Sequence, residues 1–149
     1  MWRFFCGLVA CLWLAGPGTA QQNGPPPAIL AAFEAVEAGD WDTAYALVVG
    51  EGDVARDLIT WARLREGDAI FAEYPAFLGA RSDWPGLDRA RAQAETMLVD
   101  VPPAEVIAFF DGQQVQTGEG AVAYARALID TGRRPEAEAM LRRGWLEEG

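Results

Sequence analysis

The chain has 149 residues, a formal net charge of −10 at pH 7, no histidine and only two cysteines. The lack of histidine excludes Ser-His-Asp triads and histidine metal sites, and the acidity makes nucleic acid and anionic lipid surfaces poor partners. The length predicts a single domain that is large enough to bury a hydrophobic core.

The first twenty residues have the pattern of a secretory signal peptide. Arg3 supplies a short positive segment, residues 4–15 are apolar, and Gly18-Thr19-Ala20 is a small-residue cleavage site. The apolar run is too short to cross a bilayer as a helix. We therefore expect residues 1–20 to direct secretion, which predicts a periplasmic protein with no stable membrane span after processing.

Two other interpretations of this segment remain open. It is either an uncleaved N-terminal anchor or a lipidation signal, since residues 8–11 resemble a bacterial lipobox, although Cys11 lies inside the apolar run rather than at its end. If cleavage follows Ala20, Cys6 and Cys11 are both removed. The mature chain then has no thiol for catalysis, metal binding or a disulfide.

The mature chain divides into a leader and a helical domain. Residues 21–28 are polar and rich in proline, which predicts an extended spacer. Residues 29–149 carry apolar stripes at helical spacing, separated by short joints, and no stretch alternates for long enough to predict a strand. We therefore predict an all-α domain over residues 29–149.

Eight apolar stripes predict about eight helices. In chain order they are Ile29, Leu30, Phe33 and Val36; Trp41, Ala44, Tyr45 and Val48; Leu58, Trp61 and Ala62; Ile70, Phe71, Tyr74, Phe77 and Leu78; Leu87, Ala90, Ala94, Met97 and Leu98; Val106, Ile107, Phe109 and Phe110; Val122, Ala125, Leu128 and Ile129; and Ala137, Met140, Leu141 and Trp145. Phe109 and Phe110 are adjacent and cannot share one helix face, so one of them is expected at a seam between repeats.

Three joints contain a glycine at the position where a helix ends in the left-handed conformation: Gly39, Gly67 and Gly132. In the first and last of these joints an alanine follows five residues later, Ala44 or Ala137, which permits close helix contact. A helix, a glycine turn and a second helix form the unit of tetratricopeptide-like (TPR-like) solenoids. Because the joints do not recur at one period, we predict an irregular α-superhelix of TPR-like hairpins.

Two proline-containing segments punctuate the middle of the chain. Asp83-Trp84-Pro85-Gly86-Leu87 predicts a helix start, with Pro85 at the first helical position, Asp83 near the positive helix end and Trp84 packed back on the helix. The alternative is that Trp84 presents its indole to a sugar. Pro75 interrupts the fourth stripe and is expected to bend or break that helix.

No carboxylate stands out as catalytic, although a glycosidase needs two in contrasting environments. Most glutamates fall between the apolar stripes and are expected on solvated faces: Glu34, Glu37, Glu51, Glu66, Glu73, Glu95, Glu105 and Glu138. The acidic turns at residues 40–42 and 51–53 are explained better as helix caps than as calcium loops. We predict no catalytic, cofactor-binding or metal-binding residue in this chain.

A set of short motifs resembles the non-catalytic N-terminal helical domain of soluble lytic murein transglycosylases. The matching residues are Trp61, Leu64, Arg65 and Gly67; Phe71, Tyr74, Phe77 and Leu78; Asp83 to Leu87; Arg91, Ala94 and Glu95; Val106, Phe109 and Phe110; Thr117 to Gly120; Tyr124 to Leu128; Gly132 and Arg133; and Glu136, Ala137, Leu141 and Trp145. The resemblance covers about residues 30 to 147.

The resemblance implies a periplasmic cell-wall protein with a superhelical domain. In that family a separate lysozyme-like domain carries the catalytic glutamate in a Glu-Ser motif and cleaves the glycan to 1,6-anhydromuramic acid. No Glu-Ser pair occurs in this sequence. We therefore expect a helical scaffold that is inactive alone and meets glycan strands only through a catalytic domain. The alternative is a free-standing periplasmic TPR-like adaptor for a protein partner.

The last predicted helix also bears on partners. Its apolar residues include Met140, Leu141 and Trp145, and a terminal solenoid repeat needs a polar outer face. We therefore expect residues 134–147 to mediate self-association or to contact a protein partner.

Overall fold

The structure, a computed structural model, describes residues 26–147, with side chains described to residue 142. The predicted signal peptide and most of the leader therefore lie outside the described residues, and so does the side chain of Trp145.

The described part of the chain is all-α and contains eight helices and no strand, which confirms the predicted fold class. The helices are α1 Pro27–Glu37, α2 Trp41–Leu47, α3 Asp53–Glu66, α4 Glu73–Ala80, α5 Leu87–Glu95, α6 Pro103–Phe109, α7 Gly118–Asp130 and α8 Arg134–Glu147. One 3₁₀ turn, Leu98–Asp100, lies between α5 and α6.

The predicted glycine joints are confirmed. Gly39, Gly67 and Gly132 all have positive φ, between 72° and 81°. At the α1–α2 joint the amide of Gly39 donates to Val36 O at 3.0 Å, and that of Asp40 donates to Ala35 O at 2.9 Å. Such paired bonds satisfy the last carbonyls of a helix.

The alanines that follow the joints make the close contacts expected of them. Ala44 is fully buried with Ala32 of α1, and Ala137 is 1 % exposed against Ala125 and Leu128 of α7. These contacts bring α1 against α2 and α7 against α8.

The hydrophobic core is a series of local clusters along the chain. Successive clusters lie among α1 to α3, among α3 to α5, between the 3₁₀ turn and α7, and between α7 and α8. Phe109 packs against both the second and the third cluster and makes an edge contact with Phe71 at 5.5 Å. Phe110 is buried and stacks on Tyr124. The predicted seam position is therefore confirmed for Phe109, and a core that is shared by neighbouring units is typical of a solenoid.

The prediction for Pro75 is wrong. The fourth helix begins at Glu73, so Pro75 is its third residue. Amide groups in the first turn have no partner inside a helix, and a proline there removes no intrahelical bond. Residues 71–72 form a turn before α4, and Ile70, predicted as part of the buried stripe, is 69 % exposed.

The prediction that Pro85 occupies the first helical position is also wrong, because α5 begins at Leu87. Gly86 has φ 66°, a left-handed conformation that cannot belong to a right-handed helix. The start of α5 is therefore set by Gly86. Trp84 packs against the preceding helix α4, with its ring edge-on to Phe77 at a centroid distance of 5.7 Å.

Candidate functional site

The residues of the most distinctive motifs meet at the junction of α3 with the start of α5. Trp61 Nε1 donates to the carbonyl oxygen of Pro85 at 2.8 Å, and its ring lies edge-on to Trp84 at 6.4 Å. The guanidinium of Arg65 stacks over the Trp61 ring at 4.2 Å. With one indole nitrogen bonded and one ring face covered by a cation, Trp61 is part of the packing of this junction.

A second set of bonds extends this junction along α5. Arg89 Nε donates to Arg65 O at 3.0 Å, and its guanidinium pairs with Glu66 at 3.0 Å. Arg63, which also lies on α3, pairs with Glu73 of α4. These contacts tie α3 to the two helices that follow it.

The depression beside this junction has a volume of about 590 Å³ and is lined by Trp41, Trp61, Arg65 and the acidic residues around them. Trp41 Nε1 donates to Asp68, so its polar atom is engaged as well. The two indole groups that border the depression therefore serve contacts between helices.

Glu95 is the last residue of α5. Among the described side chains it is the one charged group that is buried, with 2 % of its surface exposed. Its carboxylate accepts bonds from the amide of Gln116 at 2.8 Å and from the amide and hydroxyl of Thr117, both at 2.7 Å. Thr117 is the N-cap of α7 and its hydroxyl accepts from the amide of Gly120 at 2.9 Å. The carboxylate thus sits at the positive end of α7, where a negative charge is stabilised.

Gly120 makes room for this carboxylate. A Cβ atom at position 120 would lie 2.2 Å from Glu95 Oε2, well inside the van der Waals distance. A glycine here allows the first turn of α7 to close over the acid. Glu95 and Gly120 therefore form one structural unit although they are far apart in the chain.

The expectation that Glu95 lies on a solvated face is wrong. Helical spacing places it beside the buried Ala94, but the acceptor role depends on a helix that starts more than twenty residues later. The available signal was the Thr117-Gly118-Glu119-Gly120 segment, whose N-cap residue and small residues indicate a helix end that can take an anion. A carboxylate whose oxygens are held by several donors is suited to joining helices.

Of the two acidic turns, the one at residues 40–42 caps a helix as the sequence predicts, whereas the prediction for residues 51–53 is wrong, because the N-cap of α3 is Gly52 and no side chain caps that helix. Asp40 is the N-cap of α2, and its carboxylate accepts from the amide of Thr43 at 3.1 Å. Hydrogen bonding with Thr43, through its side chain first and its backbone amide second, lowers the pKa of Asp40 below its usual value. Asp53 is the first residue of α3, near its positive end. Within residues 26–142 no three acidic or sulfur ligands cluster in a way that could hold a metal ion.

A second concave surface, which we call the α7 groove, runs along α7. One side is formed by the 3₁₀ turn Leu98–Asp100, by the two prolines that follow and by Val106 of α6, and the other by α7 from Gly118 to Asp130. Its volume is about 600 Å³ and its surface is mainly apolar. Concave apolar surfaces of this size are the usual binding sites of proteins.

Val122, predicted in a buried stripe, lines this groove and is 67 % exposed, and Ile129 of the same stripe is 40 % exposed. The same stripe also holds Ala125 and Leu128, which are buried as predicted. The stripe is therefore divided, since Ala125 and Leu128 lie on the inner face of α7 whereas Val122 faces the groove.

Among residues 26–147 no helix combines the length and the apolar character needed to cross a membrane. Comparison of the chain with protein families, with curated proteins and with solved structures gives no match.

Proposed function

We propose that this chain is a non-catalytic helical scaffold of a periplasmic cell-wall enzyme, of the kind that forms the N-terminal domain of soluble lytic transglycosylases. The observation that carries the proposal is the packing of α3, α4 and α5 into one unit. Trp61 belongs to one motif of the resemblance and directly contacts Trp84 and Pro85 of the next, while Arg65 of its own motif stacks on its ring.

The buried residues of that unit support the same role. Tyr74, Phe77 and Leu78 belong to one motif, Leu87 to the next and Ala94 to a third, and all pack in one cluster. Because the residues of these motifs pack in the core and join helices, they support a domain with a structural role. The glycan-cleaving chemistry would then come from a separate lysozyme-like domain.

The disposition of Glu95 agrees with a scaffold. It is the one buried carboxylate in the described chain, and its oxygens are occupied by the start of α7. A general acid for glycoside cleavage has to reach the glycosidic oxygen of a bound sugar. In this scaffold Glu95 instead connects α5 to α7.

Two measurements test the proposal. The purified chain, incubated with peptidoglycan sacculi, should release no 1,6-anhydromuropeptides by mass spectrometry. Mixed with a lysozyme-like transglycosylase domain from the same organism, it should form a complex in sedimentation experiments, since a scaffold has to contact the domain that it positions. Anhydromuropeptide release by the chain alone, abolished by a single Glu→Gln change, would contradict the proposal, and so would the lack of any complex.

A second function, that of a periplasmic adaptor for a protein partner, is favoured by one observation. The α7 groove is an open apolar surface on a protein that otherwise carries a large negative charge. The two functions differ in whether a transglycosylase domain binds the chain.

A further inference from the structure

The α7 groove has a buried apolar floor and exposed apolar sides. Leu98 and Val106 are 3 % and 2 % exposed and belong to the core, whereas Val99 and Val122 expose 82 % and 67 % of their surface. Val99 comes from the 3₁₀ turn and Val122 from α7, so each side of the groove contributes one. Covering such side chains is favourable by about 25 cal/mol for each Å² of apolar surface removed from water.

The charges of the groove select the partner. Asp100, Glu119 and Asp130 line it together with a single cation, Arg126, whose Nε lies 3.9 Å from Asp130 Oδ2. The groove is therefore acidic, on a chain whose net charge is −10. Like charges across an interface are unfavourable, so anionic ligands and a second copy of this chain are poor occupants. A partner with arginine or lysine beside its apolar face matches the groove.

The backbone around the groove selects the conformation of the partner. Pro102 and Pro103 have no amide hydrogen to donate, and beyond their first turns the amides of α6 and α7 are used inside those helices. No strand edge exists in the part of the chain that the structure describes, so an extended peptide cannot add to a sheet. A segment that enters this groove has to satisfy its own backbone bonds, as a helix does.

The length of α7 sets the length of the partner segment. The groove follows α7 from Gly118 to Asp130, which at 1.5 Å per residue is about 18 Å. A helix of about twelve residues spans that distance, with apolar side chains at the i, i+3 or i+4, and i+7 positions.

We infer that the α7 groove binds an amphipathic helix of a protein partner, whose apolar face covers Val99 and Val122 and whose flanking cations pair with Asp100, Glu119 and Asp130. The inference goes beyond the proposed scaffold role and does not depend on the lytic transglycosylase resemblance. The apolar surface, the acidic charge and the backbone of the groove all favour this one class of ligand.

The experiment uses the mature chain and three fluorescein-labelled peptides of about fourteen residues, enough for the estimated span of the groove. One is a Leu/Lys amphipathic helix, the second replaces every lysine by glutamate, and the third scrambles the Leu/Lys order. Anisotropy titrations measure binding to the unaltered chain, to Val122→Asp and to Val49→Asp. Val49 is an exposed valine like Val122, with 82 % of its surface exposed, but it lies after α2, away from the groove, and serves as the matched control.

The Leu/Lys peptide should saturate one site and should bind the Val122→Asp variant at least tenfold more weakly, while Val49→Asp behaves like the unaltered chain. Both variants add one negative charge, so purely electrostatic association would strengthen in both. Methyl NMR shifts should concentrate on Val99, Val106 and Val122. Circular dichroism of the variants verifies that they fold.

Three results would overturn the inference. Equal binding of Val122→Asp and Val49→Asp would show that charge alone attracts the peptide. Equal binding of the glutamate or scrambled peptide would remove the requirement for a cationic amphipathic helix. Finally, a dimer of the unaltered chain that is lost in Val122→Asp would assign the groove to a second copy. None of these results bears on whether the chain binds a transglycosylase domain.

Discussion

Glu95 at the end of α5 accepts a 2.7 Å hydrogen bond from the amide of Thr117 at the start of α7, so one buried carboxylate joins two helices that are separated by a 3₁₀ turn and α6. This bond lies where the second and third core clusters meet along the chain. Its loss should loosen the contact between α5 and α7.

Removing the carboxylate should destabilise the protein. We expect Glu95→Ala to lower the free energy of unfolding by about 3 kcal/mol, because the amides of Gln116 and Thr117 lose a charged acceptor in a buried place. Glu95→Gln keeps one acceptor oxygen and should cost less. Urea unfolding followed by circular dichroism measures both variants, and equal stability of Glu95→Ala and the unaltered chain would contradict the structural role.

Gly120→Ala should be destabilising for the same reason, since the added Cβ would overlap Glu95 Oε2. Gly118→Ala in the same helical turn is the matched control, because a Cβ there meets no atom within 4 Å. In a Glu95→Ala background the cost of Gly120→Ala should fall, because the overlapping atom has been removed. Additive losses in the double variant would show that the two residues do not interact.

The junction at Trp61 gives a graded prediction. Trp61→Phe loses the hydrogen bond to Pro85 O but keeps a ring beside Trp84 and Arg65, and we expect a loss of about 1 kcal/mol in unfolding free energy. Trp61→Ala removes the ring as well and should cost about 3 kcal/mol. Chemical denaturation distinguishes the two. If both variants unfold at the same denaturant concentration, the ring contacts contribute little.

Because of Tyr74, we expect the free energy of unfolding to decrease at alkaline pH. Its side chain is fully buried, its hydroxyl has no hydrogen-bond partner among the described residues, and burial raises its pKa above 10.0, with the negative charge of Glu73 adding to the effect. Below pH 10 both folded and unfolded chains keep the phenol proton. As pH rises further, the unfolded chain loses that proton first, so the contribution of Tyr74 to stability falls.

We therefore expect Tyr74→Phe to be at least as stable as the unaltered chain at pH 7 and to lose less stability above pH 10. Tyr45→Phe is the control, because the Tyr45 hydroxyl bonds to Thr60 Oγ1 at 2.9 Å and its removal should cost about 1 kcal/mol at pH 7. Thermal unfolding at pH 7 and pH 10.5 measures both. A large loss at pH 7 in Tyr74→Phe would point to a partner for its hydroxyl.

The C-terminal helix is expected to mediate self-association. Ile129 of α7 and Leu141 of α8 are each 40 % exposed, and Trp145 belongs to the predicted stripe that contains Leu141. Sedimentation at several concentrations should show reversible association that Trp145→Glu weakens and Val122→Asp leaves unchanged. A monomer at every concentration would show that this edge is already covered.

Secretion is tested by mass. We expect periplasmic material to lack residues 1–20 and to begin at Gln21, because a small-residue site follows the apolar segment. Intact-mass spectrometry gives the processed mass directly. A retained N-terminus would favour the uncleaved anchor, and a diacylglyceryl group on Cys11 would favour the lipoprotein interpretation.

The sequence by itself determined the features that depend on neighbouring residues. The all-α class and the number of helices follow from the spacing of apolar side chains. The joints at Gly39 and Gly132 follow from the left-handed conformation that ends a helix, and the cap at Asp40 follows from its short acceptor side chain. Each of these features is set within one or two turns of helix, so the local sequence was sufficient.

Only the tertiary structure decided which side chains of an apolar or polar pattern are buried. Val122 and Leu128 belong to one predicted stripe, yet the first lines an open groove and the second is in the core, because no element of the described chain covers that side of α7. Glu95 fits a solvated face by its spacing, but the amides of Gln116 and Thr117, which lead into the helix that starts at residue 118, donate to its carboxylate. Burial depends on what packs against a helix from a distance along the chain, and periodicity contains no information about that.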